Sequence, residues 1–307
     1  MMTKSKEFPR SANPRESSGF PLLVLRASHS DSFPRLPVFR LMHWHEDLQF
    51  TLVKSGMLSL VQPDGITALS EGSAVFINRS ALHRIETQDG CHYVSIRFPD
   101  TFLKFYPGSP AERHVDSISG NDTVKVIPLT CSEDWQKEII RILWKIEGLE
   151  RMPGPYYEYE ALTFLSLVWM LFLPHFPVLA KTGQSETERR LRFFLIFIEN
   201  HYQEDISLTD IAASAHVSKS ECLRCFQTHL HTTPYRYLVD VRLKHAVNHL
   251  CSSHGTISEI ALRSGFNHFS HFSRSFRAKT GMSPKEFRKR KFLDEKTGIT
   301  SDTTLDD

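Results

Sequence analysis

From about residue 21 to 127 the apolar residues come in short runs separated by turn signals. "VFRLMHWH", "LQFTLVKSG", "MLSLVQPDG", "AVFINRS", "HRIETQDG" and "HYVSIRF" read as strands, with Pro63-Asp64-Gly65 and Asp89-Gly90 as turns. Many short strands at close spacing predict a barrel or a sandwich. The period then changes. "SEDWQKEIIRILWKIEGLE" places Trp135, Ile139, Ile142 or Leu143, and Ile146 on one helical face, and an almost wholly apolar helix follows over about 157–173. The 13-residue apolar run 161–173 is shorter than the roughly 20 residues that span a bilayer, so a buried or interface helix is expected and no membrane partner. Residues 1–20 lack the apolar core of a signal peptide and read as a disordered arm, and the acidic tail 293–307 reads the same way. Gly183-Gln184 marks a hinge between the apolar helices (128–182) and a C-terminal domain (183–292).

The C-terminal third repeats itself. Ile211-Ala212 matches Ile260-Ala261 at an offset of 49, and Arg224-x-Phe226 matches Arg274-x-Phe276 at 50. Pro234-x-x-Tyr237 matches Pro284-x-x-Phe287, again at 50. Each repeat reads as helix, tight turn, helix. Ser207 or Thr209 caps the first helix of repeat one, and Thr256 with Glu259 forms a capping box in repeat two. His216 and Gly265 take the left-handed turn position. Ser218 with Glu221 forms a capping box for "SKSECLRCF", and Asn267 is expected to cap "HFSHFSRSF". Thr233-Pro234 and Ser283-Pro284 open further helices. A continuous helix of about 16 residues, carrying Leu238, Val241, Ala246 and Leu250, joins the repeats. In a helix-turn-helix the second helix enters the major groove, and two such helices about 34 Å apart can read successive grooves on one face of a duplex. Cys222, Cys225 and Phe226, matched by Phe272, Ser275 and Phe276, are expected to face the core. That makes "CLRC" a packing feature rather than a redox pair.

Charge agrees with a nucleic-acid partner. Residues 205–291 hold 14 Lys/Arg against 6 Asp/Glu, a surplus of eight, and since the whole chain carries +2 the remainder carries −6. The base-reading candidates are Ser220, Leu223 and Arg224 in repeat one, with Phe269, Ser270, His271, Ser273 and Arg274 in repeat two. Arginine bonds guanine bidentately, and Leu223 or Phe269 suits a thymine methyl. Lys219, Arg277, Lys279 and the run 288–291, which includes Arg288 and Lys289, are candidates for phosphate contact. The five cysteines, an odd number, suit reduced thiols in a cytoplasm.

Together these residues resemble the AraC/XylS family of bacterial transcription factors over about 185–291, and "IALRSGFNHFSHFSRSFRAKTGMSPKEFR" is similar to that family's signature. The resemblance implies a seven-helix domain that contacts promoter DNA. Repeat one departs from the pattern, with Cys222 where leucine is usual and His231 where glycine is usual. Residues 21–127 resemble the cupin-type sensor barrel found in many members of the family. The cupin pattern of H-x-H, an acid four residues on, then a glycine falls on His43, His45, Gln49 and Gly56, and Gly72 with His83 fits the second motif. On a strand, His43 and His45 would share one side. Gln49 replaces the carboxylate that a metal enzyme commonly uses. The preferred reading is therefore a metal-free pocket in which His43, His45, Gln49 and His83 hydrogen-bond a small effector. A three-histidine metal site, or histidines that only satisfy one another, are the alternatives. Tyr93, Ser95 and Arg97 are further lining candidates, with Arg97 expected at the surface.

The fold class expected is α+β multidomain: a cupin-like β-barrel with flanking helices, then an all-α double helix-turn-helix domain. The function expected is a ligand-responsive transcriptional regulator, not an enzyme, with no cofactor. It would form a homodimer through the helices of 128–182, activate as that family commonly does, and have RNA polymerase as a further candidate partner. A metal-dependent cupin enzyme fused to a DNA-binding module, and a constitutive regulator with a ligand-free barrel, are the alternatives.

Overall fold

The runs of the N-terminal half fold into two antiparallel sheets in the computed structural model, which describes residues 13, 15, 19–28, 41–121, 123–176, 186–252 and 255–289. The larger sheet is ordered β1 (Leu23–Ser28), β7 (His92–Phe98), β2 (Leu48–Ser55), β5 (Ala74–Ile77), β8 (Val126–Leu129). The smaller is ordered β4 (Gly65–Ser70), β3 (Met57–Gln62), β6 (Arg84–Thr87). The expected cupin-like barrel is present as two sheets that do not close on one another. Among the described residues no ladder joins β4 or β6 to an edge of the large sheet, and the two sheets remain separate layers.

Residue alternation explains why β2 and β5 read as unbroken apolar runs: both faces of the large sheet are covered. Phe50 and Leu52 of β2, Phe76 of β5, and Ile96 and Phe98 of β7 form one face. They pack on α3 (Asp134–Arg151) and α4 (Tyr157–Phe172), through Ile139, Leu143, Leu165 and Phe172. The rings of Phe76 and Phe172 lie 4.9 Å apart. Val53, Val75 and Ile77, on the other face, join Leu58, Leu60 and Leu69 in a second apolar cluster. The two short helices α1 (Thr101–Lys104) and α2 (Glu112–Ser119) precede β8.

Two further expectations change here. "VFRLMHWH" lies partly outside the described residues, and its described end contributes an isolated bridge, His43 to His83, rather than a strand. The arm 1–20 is not wholly without structure. The Asn13 amide donates to the Pro21 carbonyl at 2.8 Å, Arg15 pairs with Glu150, and Phe20 stacks on Phe102 at 4.9 Å. The hinge at Gly183-Gln184, Arg290, Lys291 and the acidic tail lie outside the described residues. No helix among the described residues is long and apolar enough to cross a membrane.

The chain divides into two compact units, one reaching Arg190 and the other running from Leu191. The second is all-helical: α5 (Glu186–His201, which spans the division), α6 (Leu208–Ser214), α7 (Lys219–Leu230), α8 (Pro234–Ser252), α9 (Ile257–Arg263) and α10 (Phe269–Thr280). A seventh helical segment covers 284–289. At 19 residues, α8 exceeds the expected 16 and spans about 28 Å at 1.5 Å per residue. It is the spine of the unit. Tyr237 on its first half packs on Phe226, at 5.9 Å between rings, and Leu243, Ala246, Val247 and Leu250 on its second half pack on Ile260, Phe266, Phe272 and Phe276.

Candidate functional site

Each helix-turn-helix is built by local chemistry. Ser207 with Asp210, and Thr256 with Glu259, form reciprocal capping boxes at α6 and α9. His216 (φ +56°) and Gly265 (φ +84°) turn the chain in the left-handed region. Ser218 caps α7 by accepting from the Glu221 amide at 3.2 Å, but the other half of the expected box is replaced. The Glu221 carboxylate instead takes Arg224, at 3.0 Å from Nε and 2.8 Å from Nη2. Asn267 is not the cap of α10: His268 holds that position, and its side chain makes no capping bond. At the outer ends, Thr233 and Ser283 accept from the amides of Arg236 and Glu286, each at 3.3 Å.

Cys222, Cys225, Phe226, Phe272 and Phe276 are buried as expected, whereas Ser275 is only partly so. This orients the second helices. Lys219, Ser220 and Arg224 are exposed on α7, with Leu223 half-buried. Phe269, Ser270, Arg274 and Arg277 are exposed on α10, with His271 and Ser273 half-buried. Lys279 is not a free phosphate contact, because it pairs with Asp240 of α8 at 2.8 Å. Arg288 is half-buried, and Lys289 is exposed. Gln227 was not singled out in the sequence, and Glu221 was read only as a cap. Gln227 matches Arg277, and Glu221 matches His271, both at the offset of 50 that had already found their partners.

A polar junction ties the repeats together. Arg242 of α8 donates from Nε to the Tyr202 carbonyl at 2.7 Å and from Nη2 to the Glu204 carbonyl at 2.8 Å. The Gln203 amide donates to the Arg263 carbonyl, at the end of α9, at 2.9 Å. Glu199 takes His245 at 2.8 Å and Lys244 at 3.2 Å. The loop after α5 is thereby fixed against both α8 and the turn of repeat two.

The N-terminal unit brings the predicted histidines together. Ring centroids lie 4.4 Å apart for His43 and His83, 5.1 Å for His45 and His83, and 6.3 Å for His43 and His45. The backbone bridge between His43 and His83, rather than strand alternation, makes this meeting. Gln49 does not complete the ring cluster by any direct bond. Its amide donates to Thr51 Oγ1 at 2.8 Å and to Ser95 Oγ at 3.4 Å. Arg97 is buried, not at the surface as expected, and pairs with Asp47 at 3.1 Å. Gln49, Thr51, Ser95 and Arg97 share the inward face of β2 and β7, beyond the apolar cluster around Val53 and Val75.

His45 Nδ1 lies 2.8 Å from the Asp47 carbonyl, and His83 Nδ1 lies 2.9 Å from that of Ala81. A carbonyl only accepts, so both Nδ1 atoms carry the proton. Burial, then the Arg97 charge, holds the His45 pKa well below its ordinary value. For His83 burial and then His43 do the same. Both rings are therefore neutral, with bare Nε2 lone pairs that are buried and accept no hydrogen bond among the described residues. No group of three or more His, Cys, Asp or Glu among the described residues is placed to hold a metal ion. The Gln49 amide, bonded to Thr51 and Ser95, stands where the cupin motif places a carboxylate ligand.

The chain resembles known proteins over most of its length. ToxT from Vibrio cholerae is 15% identical, with a TM-score of 0.45 over 87% of this chain and 97% of that one. An "Uncharacterized HTH-type transcriptional regulator YdeC" from Bacillus subtilis is 28% identical over 254 residues, 81% of this chain and 86% of that protein. The "HTH-type transcriptional activator RhaS" of Escherichia fergusonii is 27% identical over 269 residues, 83% of this chain and 90% of that protein. Residues 211–290 match the family model described as "Helix-turn-helix domain". With the twinned, capped helices already described, the matches in sequence make the C-terminal unit a helix-turn-helix domain and the chain similar to HTH-type transcriptional regulators.

Proposed function

We propose that the chain is a ligand-responsive, sequence-specific regulator in which α7 and α10 read successive major grooves of promoter DNA. Ser220, Leu223, Arg224, Phe269, Ser270, His271, Ser273 and Arg274 face the bases, and Lys219, Arg277, Arg288 and Lys289 face phosphates. The observation that carries this reading is the repeat of one exposed face, with Ser220 and Arg224 on α7 matched by Ser270 and Arg274 on α10.

The effector site is formed by His43, His45, Gln49 and His83. Two bare Nε2 atoms can only accept, so the effector brings hydrogen-bond donors such as hydroxyl or amine groups. Binding there shifts how the readers engage their half-sites, which requires unequal affinity for two arrangements of the protein. The protein is a homodimer built on α3 and α4. That helix pair carries exposed Met152, Tyr156, Tyr159 and Met170 beside a shallow cleft of about 310 Å³ lined by Leu149, Tyr159, Glu160, Thr163 and Phe164. Activation follows the activator named among the relatives, and RNA polymerase is a further candidate partner.

The test is to sequence genomic fragments retained by the full-length protein, then to titrate candidate effectors into a footprint on the recovered site. A recovered motif whose footprint changes with an effector, and no longer changes after His45→Ala, supports the reading. A footprint that no effector alters in extent or affinity contradicts its ligand-responsive part.

A further inference from the structure

The repeats present their matched arginines differently. Arg224 of α7 is 69% exposed, yet its Nε and Nη2 are both engaged by the two oxygens of Glu221, whose side chain is 23% exposed. Arg274, at the same place on α10, makes no hydrogen bond or ion pair among the described residues. The residue matching Glu221 is His271, whose ring lies against Phe266 at 5.5 Å and Tyr235 at 6.5 Å. A guanidinium has two forked edges. Glu221 covers the one formed by Nε and Nη2, and the one formed by Nη1 and Nη2 remains open. Two N–H groups on that open edge match the O6 and N7 acceptors of guanine.

We propose that Glu221 is a positioning residue for sequence reading, holding the Arg224 fork so that its open edge meets a guanine in the major groove. This rests on the reading that α7 enters the groove. It also names what repeat one reads there. A free arginine side chain has many rotamers and reaches phosphates as readily as bases, whereas a fork pinned to its own helix is pre-organised for one base. The carboxylate also repels phosphates, so it lowers affinity for DNA at large while raising discrimination. Arg274 has no such brace and trades selectivity for reach.

The experiment selects duplexes from a randomised DNA library with the full-length protein and with Arg224→Ala, Arg274→Ala, Glu221→Ala and Glu221→Gln. The wild-type motif should contain a guanine column that disappears in Arg224→Ala. Glu221→Ala should flatten that same column, with a loss of discrimination of roughly 5- to 150-fold. It should also strengthen binding to random DNA and leave the column that depends on Arg274 unchanged. Glu221→Gln retains shape and one acceptor and should fall between, and it guards against Glu221→Ala failing to fold. A guanine column as sharp in both Glu221 variants as in the wild type, or no column that depends on Arg224, overturns the inference. Failure of the wild type to select any motif would instead refute the DNA-reading function itself.

Discussion

Gly265→Ala offers the most direct probe of how the C-terminal unit holds its second reader. The glycine sits at φ +84°, where an L-residue costs about 1–2 kcal/mol. A Cβ there would lie 2.3 Å from the Tyr202 carbonyl oxygen, 2.9 Å from Arg242 Nε and 3.0 Å from Gln203 Cα. Two of those atoms are backbone, so the 202–203 loop must move, and overpacking of this kind costs about 1–3 kcal/mol. The displaced carbonyl is also an acceptor for the buried Arg242, so its loss weakens the junction between α8 and that loop. The total expected is about 2–5 kcal/mol of destabilisation, confined to the C-terminal unit. Gly281→Ala is the control, because its φ is similar at +76° but a Cβ there meets nothing within 4 Å. It should cost only the backbone preference, about 1–2 kcal/mol. Hydrogen exchange in α9 and α10 resolves the effect from the rest of the chain, where a single melting curve over two units would not. Equal loss of protection in the two variants would refute the claim that the loop after α5 packs on the turn of repeat two.

Four further outcomes are expected. The lowered pKa values of His45 and His83 mean that the folded chain binds fewer protons than the unfolded one near pH 6, so their contribution is present above the ordinary histidine pKa and is lost as pH falls below it. The wild type should therefore lose stability between pH 7.5 and 5.5, and a urea midpoint that moves equally in wild type and His45→Gln/His83→Gln would contradict it. Arg274→Ala should lose about 1–3 kcal/mol on the specific site and relax selectivity there. Lys289→Ala, by contrast, should weaken specific and random DNA alike and reduce the salt slope by about 0.9, so binding isotherms at several salt concentrations separate the two roles. Phe76→Ala, which empties a fully buried position between β2 and α4, should cost about 3–5 kcal/mol in the N-terminal unit while leaving exchange in α8 unchanged.

What could be read from the chain follows the range of the forces involved. The caps at Ser207, Ser218 and Thr256 lie within three residues of their partners, and the left-handed His216 and Gly265 and the helical spacing of the α8 stripe are local patterns that the sequence contains. The strands were also legible as runs, but β4 was not separated from β3, because most of "GITALS" is exposed and carries little apolar signal. Sheet closure is a long-range property, and neither the turn residues nor the cupin spacing determines it. Burial of Arg97 was invisible for the same reason, since its partner Asp47 is 50 residues away in sequence. The histidine cluster was found by motif spacing, yet the reasoning from strand alternation was incorrect: a bridge to His83, not a strand, brings the rings together. On the second helices repetition pointed to Arg224 as a candidate, while Glu221 was read only as a cap, although the same offset of 50 sets it against His271.

In the proposed function α7 and α10 face one duplex together, and hydroxyl-radical footprinting of the full-length protein on its selected site measures this directly. Two protected patches per protomer are expected, centred about 10–10.5 base pairs apart on one face of the helix, with Arg224→Ala erasing one and Arg274→Ala the other. A single patch, or two patches on opposite faces of the duplex, would contradict it.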